Sequence, residues 1–182
     1  MADLGDVRWP PDPIQTKRLL LRRTEARDRD GYIELLCSDE VRRYLGGSHS
    51  HEDVERALPE VPGNHSGVFA VEAGGKFIGS VTLDRRDPVR PGHVRAEGNE
   101  VEVSYTFLPA DWGNGYATEA VAAVLQWFEH ALPEEPVVLC TQSANDGSMR
   151  LAARLGFVEK ERFVEFDAEQ WFGVRMPQAH TR

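Results

Sequence analysis

The 182-residue sequence is poor in cysteine and contains no long apolar run. Its two cysteines, Cys37 and Cys140, cannot form a disulfide framework, so we expect buried free thiols and a reducing cytoplasm. A membrane-spanning helix needs about 20 consecutive apolar residues, which excludes a membrane partner or anchor of that kind. Asp3, Asp6 and Trp9 lie where a secretory signal would have a basic start and an apolar stretch, so we expect no export.

Positive charge is also scarce, because the sequence has 21 Lys and Arg residues but 30 Asp and Glu residues, which gives a formal net charge of -9. Nucleic-acid binding depends on clustered Lys and Arg that neutralise phosphates, so we predict no nucleic-acid partner. The acidic balance either attracts a cationic partner such as an amine or only keeps the protein soluble. Among the histidines only His49 and His51 lie close together, without a second pair of donors, and we predict no metal site.

A glycine-containing turn is the most informative feature that is present. Apolar and polar residues alternate from Val101 to Phe107, which predicts a half-buried strand, and apolar residues recur at helical spacing from Ala117 to Phe128. Gly113 and Gly115 lie between them and allow several amides at the helix start to point at one anion. Asn114-Gly115 alone would also suit a hairpin turn, but the long helical pattern argues against one. The turn therefore predicts a phosphate-binding site.

The remaining periodicity predicts one domain over residues 16–176, with a loose leader at 1–15 and a flexible tail at 177–182. We expect strands at 19–23, 68–73, 76–83, 101–107, 137–141, 157–166 and 171–176. We expect helices at 24–36, 39–45, 51–58, 117–128 and 145–155. The segment 84–99 is long for a connection inside a domain, which predicts either a solvated flexible loop or part of a substrate rim.

Several stretches together resemble a known family. The segment TKRLLLR at 16–22, the run EVSY at 102–105 and the run WGNGYATEA at 112–120 resemble the GNAT superfamily of acyl-CoA-dependent N-acetyltransferases. Asn145, Ser148 and the LGF triplet at 155–157 match a second motif of that superfamily. Within it, the closest resemblance is to the branch of ribosomal-protein N-terminal alanine acetyltransferases, from about Thr16 to Arg175. The resemblance implies an α/β (α+β) fold with a mixed, mostly antiparallel seven-stranded sheet flanked by helices, splayed between the fourth and fifth strands.

The resemblance also implies acetyl-CoA as co-substrate. The glycine turn would bind its pyrophosphate, and the backbone at 107–108 would pair with its pantetheine arm. Trp112 stands where many members of the superfamily carry Gln or Arg. Arg150 and Arg154 either face the phosphates or lie on a solvated helix face. The implied coenzyme contacts are Phe107, Leu108, Trp112, Gly113, Asn114, Gly115, Tyr116, Ala117, Thr118, Asn145, Ser148, Arg150 and Arg154.

Acetyl transfer to an amine requires a base, because a lysine-type amine with a pKa near ~10.4 is mostly protonated at neutral pH. Glu102 matches the carboxylate that resembling enzymes use, and Glu100, on the same face of the strand, is an alternative to it. A strand-surface glutamate without a catalytic role is the other interpretation. Tyr105 and Glu100 are candidate contacts to the acceptor, although core packing is the commoner place for a tyrosine.

The departing sulfur benefits from a proton donor. Many members of the superfamily place a tyrosine in the last helix for this, but the matching position here is Ala152. The resemblance implies Ser148 as the substitute donor, with Asn145 orienting the pantetheine or the sulfur. Both residues also suit helix capping, which leaves a purely structural role open.

The resemblance therefore predicts an enzyme that moves an acetyl group from acetyl-CoA to a primary amine, on a protein N-terminus or a small molecule, by direct attack in a ternary complex. Three alternatives remain at this point: an antibiotic acetyltransferase, a polyamine acetyltransferase and a catalytically silent acyl-CoA-binding module. A homodimer is one option, since members of this branch are often dimers.

Overall fold

The protein is described by a computed structural model at residues 4–5 and 7–177. Its sheet has eight strands in the order β1-β2-β3-β4-β5-β6-β8-β7. The strands are β1 (Ile14–Gln15), β2 (Leu19–Arg22), β3 (Val68–Ala73), β4 (Lys76–Arg85), β5 (Val101–Phe107), β6 (Val137–Gln142), β7 (Val158–Glu165) and β8 (Ala168–Arg175). The α-helices are α1 (Arg29–Cys37), α2 (Asp39–Arg42), α3 (His51–Ala57), α4 (Tyr116–Ala131) and α5 (Asp146–Arg154). None of the helices in the described ranges is long and apolar enough to cross a membrane.

The central antiparallel strands form where the sequence has β-branched and aromatic residues. β3 is buried along almost its whole length, and the Gly74-Gly75 turn joins it to β4 in a hairpin. Both glycines have positive φ, which a tight hairpin turn requires. Helix α4 covers one face of the sheet with a single apolar stripe: Ala120, Val121, Val124, Leu125 and Phe128 are buried. This core holds β5 and the start of α4 in a fixed relation.

Strands β5 and β6 separate soon after they begin. They form the sheet's parallel pair, and only Val101 with Val137 and Glu102 with Val138 are in register. On its other edge, β6 pairs with β8 along its whole length, from Val137 to Gln142. The fourth and fifth strands expected from the sequence correspond to β5 and β6, so the predicted splay between them is confirmed. The splay opens a gap beside the second half of β5.

Two expectations at the N-terminal side need correction. The sheet has eight strands rather than seven, because the two-residue β1 adds an edge to β2 and is too short to produce a periodic pattern. The described part of the supposed leader is packed, since Leu4 is 2% exposed and Trp9 contacts Phe69 and Trp127 edge-on at centroid distances of 5.1 and 6.1 Å. Residues 1–3 and 6, and all of the expected tail except 177, lie outside the described residues.

The long segment 84–99 is packed rather than flexible. Arg86 is 2% exposed, donates to the backbone oxygen of Gly92 at 2.8 Å, and lies over the ring of Phe172. The carboxylate of Glu100 accepts from the backbone N–H groups of Val94 and Arg95 at 2.6 and 2.7 Å. Buried charged groups are tolerated only with such partners. The segment is therefore held against the sheet.

Candidate functional site

A cleft of about 1390 Å³ occupies the gap where β5 and β6 part. Its walls come from α2, β5, the glycine turn, the start of α4, β6, one side of α5 and the β7–β8 turn. Most of the predicted site residues line it: Glu102, Tyr105, Phe107, Trp112, Gly113, Gly115, Tyr116, Ala117, Thr118, Asn145, Ser148, Arg150 and Arg154. Leu108, Asn114 and Glu100 are absent from its lining.

The glycine turn has the conformation that anion binding requires. Gly113 and Gly115 have φ values of 78° and 76°, which only glycine adopts without strain. Gly115 is the N-cap of the 16-residue helix α4, whose first amides have no partner within the helix. These amides and the helix dipole face the cleft and can hold a pyrophosphate. Asn114 shapes the turn instead, because its side chain donates to the backbone oxygens of Asp111 and Trp112 at 3.1 and 3.3 Å.

A carboxylate in the first turn of α4 fastens the helix start to the β1–β2 connection. Glu119 accepts from the Thr16 hydroxyl at 2.7 Å and pairs with Arg18 at 2.6 Å. Arg18 also donates to the backbone oxygen of Asn114 at 2.8 Å. Burial acts to raise the pKa of Glu119, but the hydrogen bonds from Thr16 and Arg18 outweigh it and the pKa lies below its usual range. The prediction from sequence missed this connection.

The second half of β5 offers backbone groups to the gap. The N–H of Leu108 donates to the backbone oxygen of Ile78 on β4 at 2.9 Å. Because backbone direction alternates along a strand, the amides of Tyr105 and Phe107 point the other way, toward the gap. The indole of Trp112 donates to the backbone oxygen of Phe107 at 2.8 Å. Phe107 therefore suits an extended arm laid along β5. The predicted pairing of the Leu108 backbone with that arm is less favoured, because its N–H donates to Ile78 and its oxygen accepts from the N–H of Asp111 at 3.0 Å.

The two candidate bases have different surroundings. Glu102 lines the cleft, is 17% exposed at its side chain, and accepts from Arg86 at 2.7 Å. Glu100 is fully buried and accepts from His93 at 2.8 Å as well as from the two backbone amides of the 84–99 segment. Burial acts to raise the pKa of Glu100, but the donors of Arg95, His93 and Val94 outweigh it and lower the pKa. Glu100 is thus held as a structural anchor, and its burial and three donors argue against its predicted roles as acceptor contact and replacement base.

Two of the predicted side chains on α5 have partners within the protein. Asn145 is the N-cap residue and its side-chain oxygen accepts from the N–H of Ser148 at 3.2 Å, so the capping interpretation holds for Asn145. The hydroxyl of Ser148 accepts from that of Tyr105 at 2.8 Å. Side chains alternate along β5, so Tyr105 lies on the face opposite Glu102. The gap is therefore approached by a carboxylate from one face and a hydroxyl pair from the other.

Cationic side chains lie at one end of the cleft. Arg150 and Arg154 are exposed, line the cleft, and take part in no ion pair among residues 4–5 and 7–177. Their guanidinium groups are available for phosphate, which they bind well. Both options stated above for Arg150 and Arg154 therefore stay open: a contact to the coenzyme phosphates, or a solvated face of the helix beside the cleft.

Another part of the cleft wall is built from residues that sequence reasoning missed. Helix α2 and the chain after it contribute Asp39, Glu40, Arg43 and Tyr44. These residues follow no motif, and only the packing of α2 brings them to the cleft. Across from them the lining includes Arg90, which is paired with Glu165 at 2.7 Å, and the β7–β8 turn.

Neither cysteine is fully buried: Cys37 and Cys140 are both free and half-buried. Cys140 lines the cleft, and burial raises the pKa of its thiol to about 11. A thiol of that pKa is mostly protonated at neutral pH and is a poor nucleophile. Within the described part of the chain, no group of three or more His, Cys, Asp or Glu residues could hold a metal ion.

Comparison with known proteins gives a consistent result. A family model described as an acetyltransferase (GNAT) domain matches residues 18–158. The uncharacterized N-acetyltransferase YoaA of Bacillus subtilis (strain 168) is 25% identical over 150 residues, which cover 79% of this chain and 81% of the relative.

Two solved structures share the fold at low identity. The spermidine N-acetyltransferase of Vibrio cholerae, solved with CoA and spermine, is 19% identical with a TM-score of 0.70, covering 88% of this chain and 96% of that one. The acetyltransferase of Salmonella typhimurium that modifies the N-terminal serine of ribosomal protein L7/L12 is 13% identical with a TM-score of 0.66, covering 91% and 99%. At these identities the likeness concerns the fold alone.

Proposed function

The chain belongs to the GNAT acetyltransferase family and is an N-acetyltransferase, and we propose that it moves an acetyl group from acetyl-CoA to a primary amine by direct attack in a ternary complex. The observation that carries the proposal is the cleft between β5 and β6, which joins the glycine turn at one end to Glu102 at the other. A thioester held there would lie within reach of Glu102 from one face of β5 and of Ser148 from the other.

The coenzyme is assigned to the half of the cleft beside α4 and α5. The pyrophosphate is held by amides of the turn between Gly113 and Thr118, assisted by the dipole of α4. Arg150 and Arg154 add positive charge near the phosphates. The pantetheine arm lies in the gap and pairs with the outward amides of β5, as an added strand would. This arrangement brings the thioester beside Phe107 and Ser148.

The chemistry requires three groups. Glu102 takes a proton from the amine, directly or through water, so that the nitrogen lone pair can attack the thioester carbon. The Phe107 amide donates to the carbonyl oxygen as negative charge develops on it. The nitrogen carries a positive charge once the C–N bond has formed, and it loses its second proton to water as the C–S bond breaks. Ser148 donates a hydrogen bond to the departing thiolate. A thiol with a pKa near ~8.5 leaves readily, so this donor adds rate without being indispensable.

The acceptor end favours a cationic amine. Asp39 and Glu40 of α2 line it with one cation, Arg43, so one negative charge is left in excess there. Glu102 is paired with Arg86, and Arg90 with Glu165. Carboxylates around a cleft attract a cation through their field. Polyamines, aminoglycosides and free protein N-termini all carry such an amine, so the acceptor panel has to include each of them.

Two measurements test the function in sequence. Calorimetry of the purified protein with CoA should show uptake at the micromolar level usual for co-substrates. A thiol-release assay with acetyl-CoA should then respond to one class in a panel of polyamines, aminoglycosides, amino acids and peptides with varied first residues. Failure of CoA to bind to folded protein would overturn the proposal, and binding without release for any amine would favour the silent binding module.

Replacing Glu102→Gln should lower kcat by about 10²- to 10⁴-fold, the contribution of a general base, while CoA affinity changes little. Asp84→Asn is a matched control, because Asp84 lies opposite Glu102 on β4, is exposed, and does not line the cleft. Steady-state kinetics on both variants measures the effect on kcat, and calorimetry measures the effect on CoA affinity. Equal kcat values in the two variants would remove Glu102 from the mechanism.

A further inference from the structure

The hydroxyl pair between β5 and α5 lies at the cleft and joins two residues far apart in sequence. The Tyr105 hydroxyl donates to the Ser148 hydroxyl at 2.8 Å, and both side chains line the cleft. Tyr105 is half-buried against the core beneath the sheet, so its ring has little freedom to move. The hydroxyl of Ser148 is therefore held at a fixed place.

The direction of this hydrogen bond decides where the proton of Ser148 points. A phenol is far more acidic than an aliphatic alcohol and is the better donor, so Tyr105 donates and Ser148 accepts. Burial raises the pKa of Tyr105, with the bond to Ser148 acting in the opposite direction, so the phenol keeps its proton throughout the neutral range. Ser148 must then direct its own O–H elsewhere.

The described residues contain no acceptor for that second proton. A serine in a helix often donates to the backbone oxygen four residues earlier, which here belongs to Ala144. No such bond forms, and the hydroxyl of Ser148 takes part in no other hydrogen bond within the described ranges. The remaining direction for the O–H is the cleft.

We propose that Tyr105 is a positioning residue that aims the Ser148 proton at the sulfur of the bound coenzyme. The inference rests on the function proposed above, because it requires the thiol end of CoA to lie in the gap. Hydrogen bonds in a chain polarise one another, so donation from Tyr105 makes Ser148 a stronger donor. The pair thus supplies to the leaving thiolate what Ala152 at the matching helix position cannot.

The effect can be measured without knowing the acceptor. A donor to the sulfur stabilises the thiolate and lowers the apparent pKa of the bound CoA thiol, which is near ~8.5 when free. Loss of one hydrogen bond in the chain, in Tyr105→Phe, should raise that apparent pKa by about half a unit. The readout is the ultraviolet absorbance of the thiolate against pH, as a difference between protein saturated with CoA and with desulfo-CoA.

The chain provides a matched control. The hydroxyl of Tyr32 donates to that of Ser80 at 3.0 Å, an equivalent pair that does not line the cleft. Tyr32→Phe should leave the titration of bound CoA unchanged. Ser148→Ala should raise the apparent pKa at least as much as Tyr105→Phe, and the double variant should raise it no further, because both changes break one chain.

The outcomes separate the two proposals. Absence of CoA uptake by the folded wild type overturns the proposed function, whereas uptake with an unchanged titration in Tyr105→Phe overturns the role of Tyr105 alone. A shift that survives in the Ser148→Ala background would also overturn it, since Tyr105 would then act on the sulfur directly. Once an acceptor is known, Tyr105→Phe should lower kcat while the KM for acetyl-CoA stays the same.

Discussion

At the scale of single residues, burial and partners decide what a carboxylate does. Glu100 and Glu102 lie two residues apart, so their side chains point to the same face of the sheet, yet only Glu102 lines the cleft. Buried Arg86 connects them, because it donates to Glu102 and also holds the 84–99 segment that wraps Glu100. An arginine in this position orients Glu102, the proposed base, since its planar guanidinium binds several oxygens at fixed angles.

Glu100→Gln should destabilise the protein by about 2 kcal/mol at neutral pH, because it replaces a buried carboxylate that satisfies three donors. The pKa of Glu100 is lower in the folded than in the unfolded state, since its hydrogen bonds outweigh the effect of burial. Its stabilisation is therefore complete above the unfolded pKa and is lost as the pH falls through the folded one. The difference in urea unfolding between wild type and variant should begin to shrink below the unfolded pKa of about 4.3 and should keep falling as the pH drops through the lower folded pKa.

Glu97→Gln is the control for this prediction, because Glu97 lies on the same segment but is exposed. Its free energy of unfolding should follow that of the wild type at every pH. A constant difference between wild type and Glu100→Gln down to strongly acidic pH would contradict the anchoring role of the ionised carboxylate.

At the scale of elements, the β7–β8 turn is locally unfavourable. Phe166 and Asp167 form a two-residue connection with φ values of 54° and 57°, a conformation that favours Asn and Gly and disfavours a bulky side chain. Phe166 is nevertheless 77% exposed and lines the cleft, with Arg90 over its ring. Backbone strain that persists beside a cleft is a reason to look for a role in binding.

Phe166→Asn should raise the free energy of unfolding by about 0.5 to 1 kcal/mol, because Asn tolerates positive φ and little buried surface is lost. Thermal unfolding should then shift upward by roughly 2 to 4 °C per kcal/mol in a domain of this size. Val164→Asn is the control, since it makes a similar change at an exposed position within β7. That variant should be neutral or less stable, and a gain equal to that of Phe166→Asn would argue against turn strain.

At the scale of the whole molecule, charge distribution matters more than total charge. The protein carries a net charge of -9, yet the coenzyme assigned to it is a polyanion. In the proposed arrangement, binding would depend on the local donors of the glycine turn and on Arg150 and Arg154, which lack ion-pair partners among the described residues. A protein with this balance repels free anions everywhere except at such a site.

The double variant Arg150→Ala with Arg154→Ala should raise the Kd for CoA about three- to tenfold at low salt, the usual worth of two exposed charge contacts. Its affinity should also vary less with ionic strength than that of the wild type, because two screened contacts are gone. Calorimetry at low and high salt measures both effects. Arg23→Ala, an exposed arginine outside the cleft, should change neither. Identical salt dependence in the double variant and the wild type would place both arginines on a merely solvated face.

The amino-acid sequence by itself determined the local features of this protein. The order strand, glycine turn and helix from Val101 to Ala131 follows from periodicity and from two glycines, which act over a few residues. Motifs in the right order were enough to predict the family and the splayed sheet. Most of the site residues predicted from them line the cleft, since those residues lie on or beside the motifs.

Only the tertiary structure decided which side chains contact one another and which of them are buried. It separated Glu102 from Glu100, directed the Leu108 amide to β4, and packed the 84–99 segment around buried Arg86. It also brought Tyr105 to Ser148 across 43 positions and packed α2 into the wall of the cleft. Such contacts join distant parts of the chain, and their partners, burial and pKa shifts arise from packing in three dimensions, which no periodicity along the sequence encodes.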